Sequence, residues 1–253
     1  MQFRITLLLL IFFSILDGFG QQTGKGYQYS INLTVPVDDR IFVSLIPPKT
    51  KDREVIFFMP KVVPGTYAIA DYGRYVKNFL AYDKKGRTLE VQKINENTWK
   101  IKATKPVAKI TYWVDDTFDT SLDGPEIFWP AGTNIEEHRN YIINTSGFFG
   151  YIKDKTNLPF ELNITRSKDF YGSTGLVPSK APSGKNDATK ATDSTTTDVF
   201  RASDYDEILV GKRLPCGECG ELHRSRRARA VGIVGERPGR RIVEDAVVGI
   251  IRG

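Results

Sequence analysis

The chain has 253 residues, room for one large or two modest domains. At 40% hydrophobic and 26% charged it is neither a disordered polyelectrolyte nor a multi-span membrane protein, and two cysteines cannot supply a disulfide scaffold. The net charge of +6 is uneven: residues 1–208 carry 26 Lys and Arg against 25 Asp and Glu, whereas 209–253 carry 10 against 5. The basic character belongs to the tail, so the body gives no reason to expect a nucleic-acid partner.

The first twenty residues read as a secretory signal peptide. Arg4 gives a short positive region, and Ile5 to Leu16 is an apolar run interrupted only by Thr6 and Ser14. Gly18-Phe19-Gly20 then places small residues where a signal peptidase inspects them, so cleavage is expected before Gln21. A run of about 12 residues falls short of the roughly 20 that span a bilayer, which argues against an uncleaved anchor. The expected location is periplasmic or extracellular, with no membrane association after cleavage.

The body reads as β. Tyr27, Tyr29, Ile31, Leu33 and Val35 alternate with Gln28, Ser30, Asn32 and Thr34, the period of a half-buried strand. Ile41 to Ile46 and Glu54 to Met59 are further strands, stopped by Pro47-Pro48 and Pro60. Ala68 to Ala81 is the one stretch that could hold a helix, a short one. Asp83-Lys84-Lys85-Gly86 is a turn by composition, and Leu89 to Ile94 with Thr98 to Lys102 flank a hairpin turn at Asn95-Glu96-Asn97. Ile110, Tyr112 and Val114 alternate, as do Phe160, Leu162 and Ile164; residues 178–198, poor in apolar side chains, read as a loop or linker. Many short strands with turn chemistry between them predict an all-β fold, an antiparallel β-sandwich.

Catalytic patterns are scarce. His138 and His223 are the only histidines, and neither lies in H-E-x-x-H; there is no phosphate-binding glycine loop and no G-x-S-x-G. Asp115, Asp116, Asp119, Asp123 and Glu126 gather around Gly124, as a Ca²⁺ loop or paired catalytic carboxylates would, but the spacing fits no EF-hand and a solvated acidic loop is the simpler reading. Cys216 and Cys219 form a C-x-x-C with His223 close by, weak metal candidates that are one ligand short of a structural zinc site. Asn32, Asn144 and Asn163 each begin a glycosylation sequon, relevant only in a eukaryotic secretory pathway.

At Pro64-Gly65-Thr66-Tyr67-Ala68-Ile69-Ala70-Asp71-Tyr72, preceded by Phe57-Phe58-Met59-Pro60, the sequence resembles the glycyl aminopeptidase family of metallopeptidases, family sixty-one. The likeness continues through Phe128-Trp129-Pro130-Ala131-Gly132-Thr133-Asn134-Ile135 and Asn144 to Tyr151, and ends at Ala202-Ser203-Asp204-Tyr205-Asp206-Glu207. The resemblance implies an N-terminal β-sandwich that precedes a zinc-bearing catalytic domain, its natural partner. It also implies an exported aminopeptidase preferring small N-terminal residues, with Asp204, Tyr205, Asp206 and Glu207 at the domain junction. No catalytic residue and no zinc ligand carries over, because after Glu207 the chain departs from the family pattern. Pro64, Gly65, Tyr67, Asp71 and Tyr72 read as a structural motif, proline and glycine turning the chain and the tyrosines packing back. Gly132, Thr133 and Asn134 are the candidate loop facing a cleft.

The tail differs from the body. Residues 209–253 hold 9 Arg and 1 Lys, no aromatic residue and no Thr, Asn, Gln or Met. Such a change at a family junction is what an out-of-frame end would give, although Arg224, Arg226, Arg227 and Arg229 could also form a basic patch. The expected organisation is a signal peptide at 1–20, a β-sandwich at 21–177, a polar linker and last strand at 178–208, and an aberrant, unstructured tail at 209–253. The leading expectation is a non-catalytic domain whose exposed docking face promotes self-association. Its rivals are a standalone secreted module binding peptide or carbohydrate and, more remotely, an enzyme using the acidic cluster.

Overall fold

The computed structural model describes residues 26–63, 68–120, 122–178, 194–210 and 247–252. The strands in chain order are β1 Tyr27–Asn32, β2 Arg40–Ile46, β3 Glu54–Phe58, β4 Val76–Tyr82, β5 Thr88–Asn95, β6 Thr98–Lys102, β7 Lys109–Asp115 and β8 Asn134–Glu136. They continue with β9 Asn140–Asn144, β10 Tyr151–Ile152, β11 Phe160–Ser167, β12 Phe170–Ser173, β13 Val177–Pro178, β14 Thr195–Ala202 and β15 Val247–Arg252. Two short helices, α1 at Thr145–Phe148 and α2 at Tyr205–Val210, join them among the described residues. The fold is mostly β, as expected, and none of these helices is long and apolar enough to cross a membrane.

Eleven strands form one curled sheet in the order β10-β3-β6-β5-β4-β7-β2-β1-β11-β14-β13, and β12-β15-β9-β8 form a smaller one. The alternating side chains make rows across the large sheet. Register places Phe200, Leu162, Tyr29, Leu45, Ile110, Ala81 and Leu89 side by side over seven strands, most of them fully buried. Ile135, Tyr141 and Ile143 of the small sheet share the same core.

Several expectations need correction. The pairing is not wholly antiparallel, since β1 runs parallel to β11. The stretch Ala68 to Ala81 holds no α-helix: a 3-10 turn at Tyr72–Tyr75 leads directly into β4. Val76 and Ala81 are claimed by ladders to β7 and β5, and Asn78 at φ 50° makes the bulge where the register shifts. The first strand stops at Asn32 because its side chain accepts from the Thr34 backbone at 3.0 Å and folds the chain into a turn. The polar stretch 178–198 is strand from Thr195 onward, where β-branched residues pair with β11.

Inside the core, three consecutive carbonyls are capped by three tyrosines from distant elements. Tyr112 of β7 donates to Phe148 O at 2.5 Å, Tyr205 of α2 to Phe149 O at 2.7 Å and Tyr29 of β1 to Gly150 O at 2.7 Å. A chain segment crossing a β core outside any ladder would otherwise bury orphaned acceptors. Burial pushes all three hydroxyls well above the ordinary tyrosine range, so they stay protonated donors.

Candidate docking site

The long loop between β7 and β8 is held at both ends and in its middle. Asp116, buried at the end of β7, accepts from the backbone N–H of Phe118 at 2.6 Å and of Asp119 at 3.3 Å. Its second oxygen accepts from the Ile135 N–H on β8, tying the two ends of the loop together. Thr117 N–H donates to Thr133 O at 3.1 Å, while Thr133 N–H donates to the Thr117 hydroxyl at 2.8 Å. Arg74 reaches across to donate to Asp123 O at 3.0 Å and to Pro125 O, and Tyr72 donates to Ala131 O at 2.6 Å. An ordered loop of this length is usually functional.

What this frame displays is aromatic. Phe128 and Trp129 are 53% and 75% exposed, and Phe118, 38% exposed, meets Trp129 edge-on with ring centroids 5.6 Å apart. A β-carbon on Gly132 would lie 2.7 Å from the Phe118 ring, so a side chain there would push that exposed ring aside. Asp119, Asp123 and Glu126 of the same loop are exposed as well. Large rigid aromatics in water, edged by polar groups, are the composition of an interface centre.

The sequence candidates fall in different places. Thr133 is fully buried and Asn134 lies in β8, so Gly132, Thr133 and Asn134 form the loop's base; Phe128 and Trp129 are its exposed tip. Their signal was the apolar pair itself, beside a proline, in a segment without strand alternation. The acidic cluster does not converge. Asp115 faces Lys77 at 3.5 Å and Arg40 at 3.7 Å, Asp116 serves the loop backbone, and no group of three or more potential metal ligands forms among the described residues. Asp71 takes a left-handed conformation before the Tyr72 turn and accepts from Asn97 Nδ2 at 2.7 Å, while Asn97 Oδ1 accepts from Gly73 N–H at 2.9 Å. Pro64, Gly65, Tyr67, the signal segment 1–20, Cys216, Cys219 and His223 lie outside the described residues.

The junction residues open α2. Asp204 accepts from Glu207 N–H at 2.8 Å and Glu207 reaches back to Ser203 N–H at 2.7 Å, reciprocal capping that explains D-Y-D-E at this point. Tyr205 and Ile208 turn into the core, and Ile208 O accepts from the Thr145 hydroxyl at 2.9 Å.

The family model of the Peptidase M61 N-terminal domain matches residues 28–209. The chain belongs to this family. The M61 N-terminal domain therefore takes in β1 to β14 and nearly all of α2, and leaves β15 outside. An aminopeptidase N family protein from Idiomarina loihiensis has the same fold: TM-score 0.55 at 20% identity, over 72% of this chain and 28% of that one. An M1 zinc metallopeptidase variant from Deinococcus radiodurans aligns at TM-score 0.38 and 10% identity, over 70% of this chain and 38% of that one. The chain thus spans well under half the length of either. No curated protein matches it.

Burial pushes the Asp115 and Asp116 carboxyls above the usual range, against the pull of Lys77 and Arg40 on the first and of backbone donors on the second. A raised folded-state value stabilises the fold at pH below the unfolded value and loses that contribution as pH rises through the folded one. Asp116→Asn is expected to cost about 1–3 kcal/mol at neutral pH, because an amide offers one acceptor oxygen where both carboxylate oxygens are used. Chemical denaturation between pH 4 and 7 checks it: the wild type should gain on acidification from this group and the variant should not.

Proposed function

We propose that this chain is the non-catalytic N-terminal domain of an exported, zinc aminopeptidase-like protein, and that it docks on the catalytic domain and walls one side of the substrate cleft. The observation that carries this reading is the exposed Phe118, Phe128 and Trp129 tip on a loop already immobilised by buried hydrogen bonds. Preorganisation removes most of the ordering cost of an interface. On this reading the curled sheet and the small sheet are the two layers of a β-sandwich around their common core. The apolar run at Ile5 to Leu16 supports export to the periplasm or the medium. None of the 253 residues forms an H-E-x-x-H, so zinc belongs to the catalytic domain of the intact protein. The composition of 209–253 supports reading that segment as out of frame or otherwise aberrant.

Two measurements test it. Sedimentation of the mature chain at micromolar concentration is expected to show self-association through the aromatic tip. The double variant Phe128→Ala, Trp129→Ala should weaken it by about 2 kcal/mol or more, the size of an interface hot spot. A wild-type chain that sediments as a clean monomer would sink the docking face. Resequencing codons 200–260 and translating all frames is expected to uncover an H-E-x-x-H downstream; an intact frame ending at Gly253 would favour a standalone module. That second reading has one observation behind it, an open groove of about 470 Å³ lined by Phe42, Tyr82, Lys84 and Lys109 on the outer face of the large sheet.

A further inference from the structure

The small sheet contains a gap of its own making. Its order is β12-β15-β9-β8, so β15 stands between β9 and β12 and pairs antiparallel with both. Val247 to Ile251 match Asn144 to Asn140 on one side, and Gly249 to Arg252 match Ser173 to Phe170 on the other. Adjacent strands lie about 4.8 Å apart, so β9 and β12 are two spacings from one another and cannot pair directly. Without an occupant, β9 would present an unpaired edge and β12, whose only ladder among the described residues is to β15, would present two.

The walls of this gap are positioned by residues other than the strand that fills it. Tyr141 of β9 and Phe170 of β12 reach each other over it, with ring centroids 5.8 Å apart. Phe170 O accepts from the Arg166 guanidinium, which is itself paired to Asp198 of β14 at 2.5 Å. Both walls lie inside the family match at 28–209, whereas the occupant at 247–252 lies outside it. The two walls thus belong to the matched domain and the strand between them does not.

We propose that the slot between β9 and β12 is a strand-acceptor site, which takes up an extended apolar strand from the chain that follows the domain. In this chain the occupant is Val247-Val248-Gly249-Ile250-Ile251-Arg252, a sequence that does not belong to the family match. Recognition is by main-chain ladders on both sides, so the slot selects extended conformation and antiparallel direction more than a particular sequence. Resting on the reading above, this supplies a second link to the catalytic part: an adjoining segment adds a strand to the small sheet while the aromatic tip meets a surface elsewhere.

The test uses the full mature chain and a fluorescent peptide spanning residues 245–253. Ile250→Pro removes a donor and disfavours pairing of the chain's own strand. The wild type, its slot filled, is expected to leave the peptide free; the variant is expected to bind it saturably, one to one. Amide exchange over 140–144 and 170–173 should speed up at least tenfold in the variant and slow again when peptide is added. Unchanged protection there without peptide, or no peptide binding by the variant, would overturn the proposal. Should Ile250→Pro also lose protection in β1, β2 and β7, Gly172→Pro on the opposite wall decides: exchange over 247–252 must rise if the slot holds that strand, and an unchanged rate refutes it. A monomeric wild type would refute the aromatic docking face and leave these outcomes untouched.

Discussion

Tyr205→Ala is expected to destabilise the domain by about 3–5 kcal/mol, the usual cost of deleting a fully buried aromatic side chain. Tyr205 packs against Tyr151 and Phe160, with ring centroids at 4.5 and 5.5 Å, and its hydroxyl serves Phe149 O. Tyr205→Phe keeps the ring and orphans one buried carbonyl, so about 1–3 kcal/mol is expected from it. Urea denaturation of both variants gives the comparison. The difference decides where the domain ends. If α2 belonged to whatever follows, neither change would matter to the isolated chain. Its burial and its contact with Thr145 instead make it part of the packed N-terminal unit. A loss under 1 kcal/mol for Tyr205→Ala would mean that α2 is only loosely attached.

How much of this was legible depended on whether the information was local. Tyr27, Tyr29 and Ile31, or Phe160, Leu162 and Ile164, announce their strands because alternation is a property of neighbouring residues, and the structure buries each of them. The turn at Asp83 to Gly86 was equally local, and Gly86 adopts φ 76° there. Ala68 to Ala81 misled because its strand β4 exists only through pairing with β7 and β5, partners that no short window contains. The parallel pairing of β1 with β11 was hidden for the same reason, since Tyr27 pairs with Phe160 at the far end of the body.

The candidate site shows a different limit. Aromatic residues are normally read as core, so Phe128 and Trp129 were passed over although they stand beside a proline and outside any strand alternation. Gly132, Thr133 and Asn134 were the more loop-like residues, yet Thr133 is buried because it closes the loop with Thr117. Asp115 and Asp116 are adjacent in sequence and were grouped as one acidic cluster. At the end of β7 they separate, Asp115 toward Lys77 and Arg40 and Asp116 into the loop backbone.

Gly150→Ala should be about as damaging as losing a core aromatic, at the upper end of the roughly 1–3 kcal/mol typical of overpacking and beyond it if the backbone must move. A β-carbon there would lie 2.3 Å from Phe58 O and 2.4 Å from the Phe57 ring, and Phe57 is fully buried with no space to retreat. Gly86→Ala is the control. Nothing lies within 4 Å of its β-carbon, so only the left-handed backbone opposes it, at about 1–2 kcal/mol. Thermal unfolding of the two variants makes the comparison, and a loss at position 150 no larger than that of Gly86→Ala would mean that the core gives way around the added methyl. The expected inequality matters beyond stability. Gly150 passes beneath β3 with its carbonyl held by Tyr29, while Phe149 beside it receives the hydroxyl of Tyr205. A shift of this crossing would move α2, so the packing of one glycine in the core also sets where that helix sits.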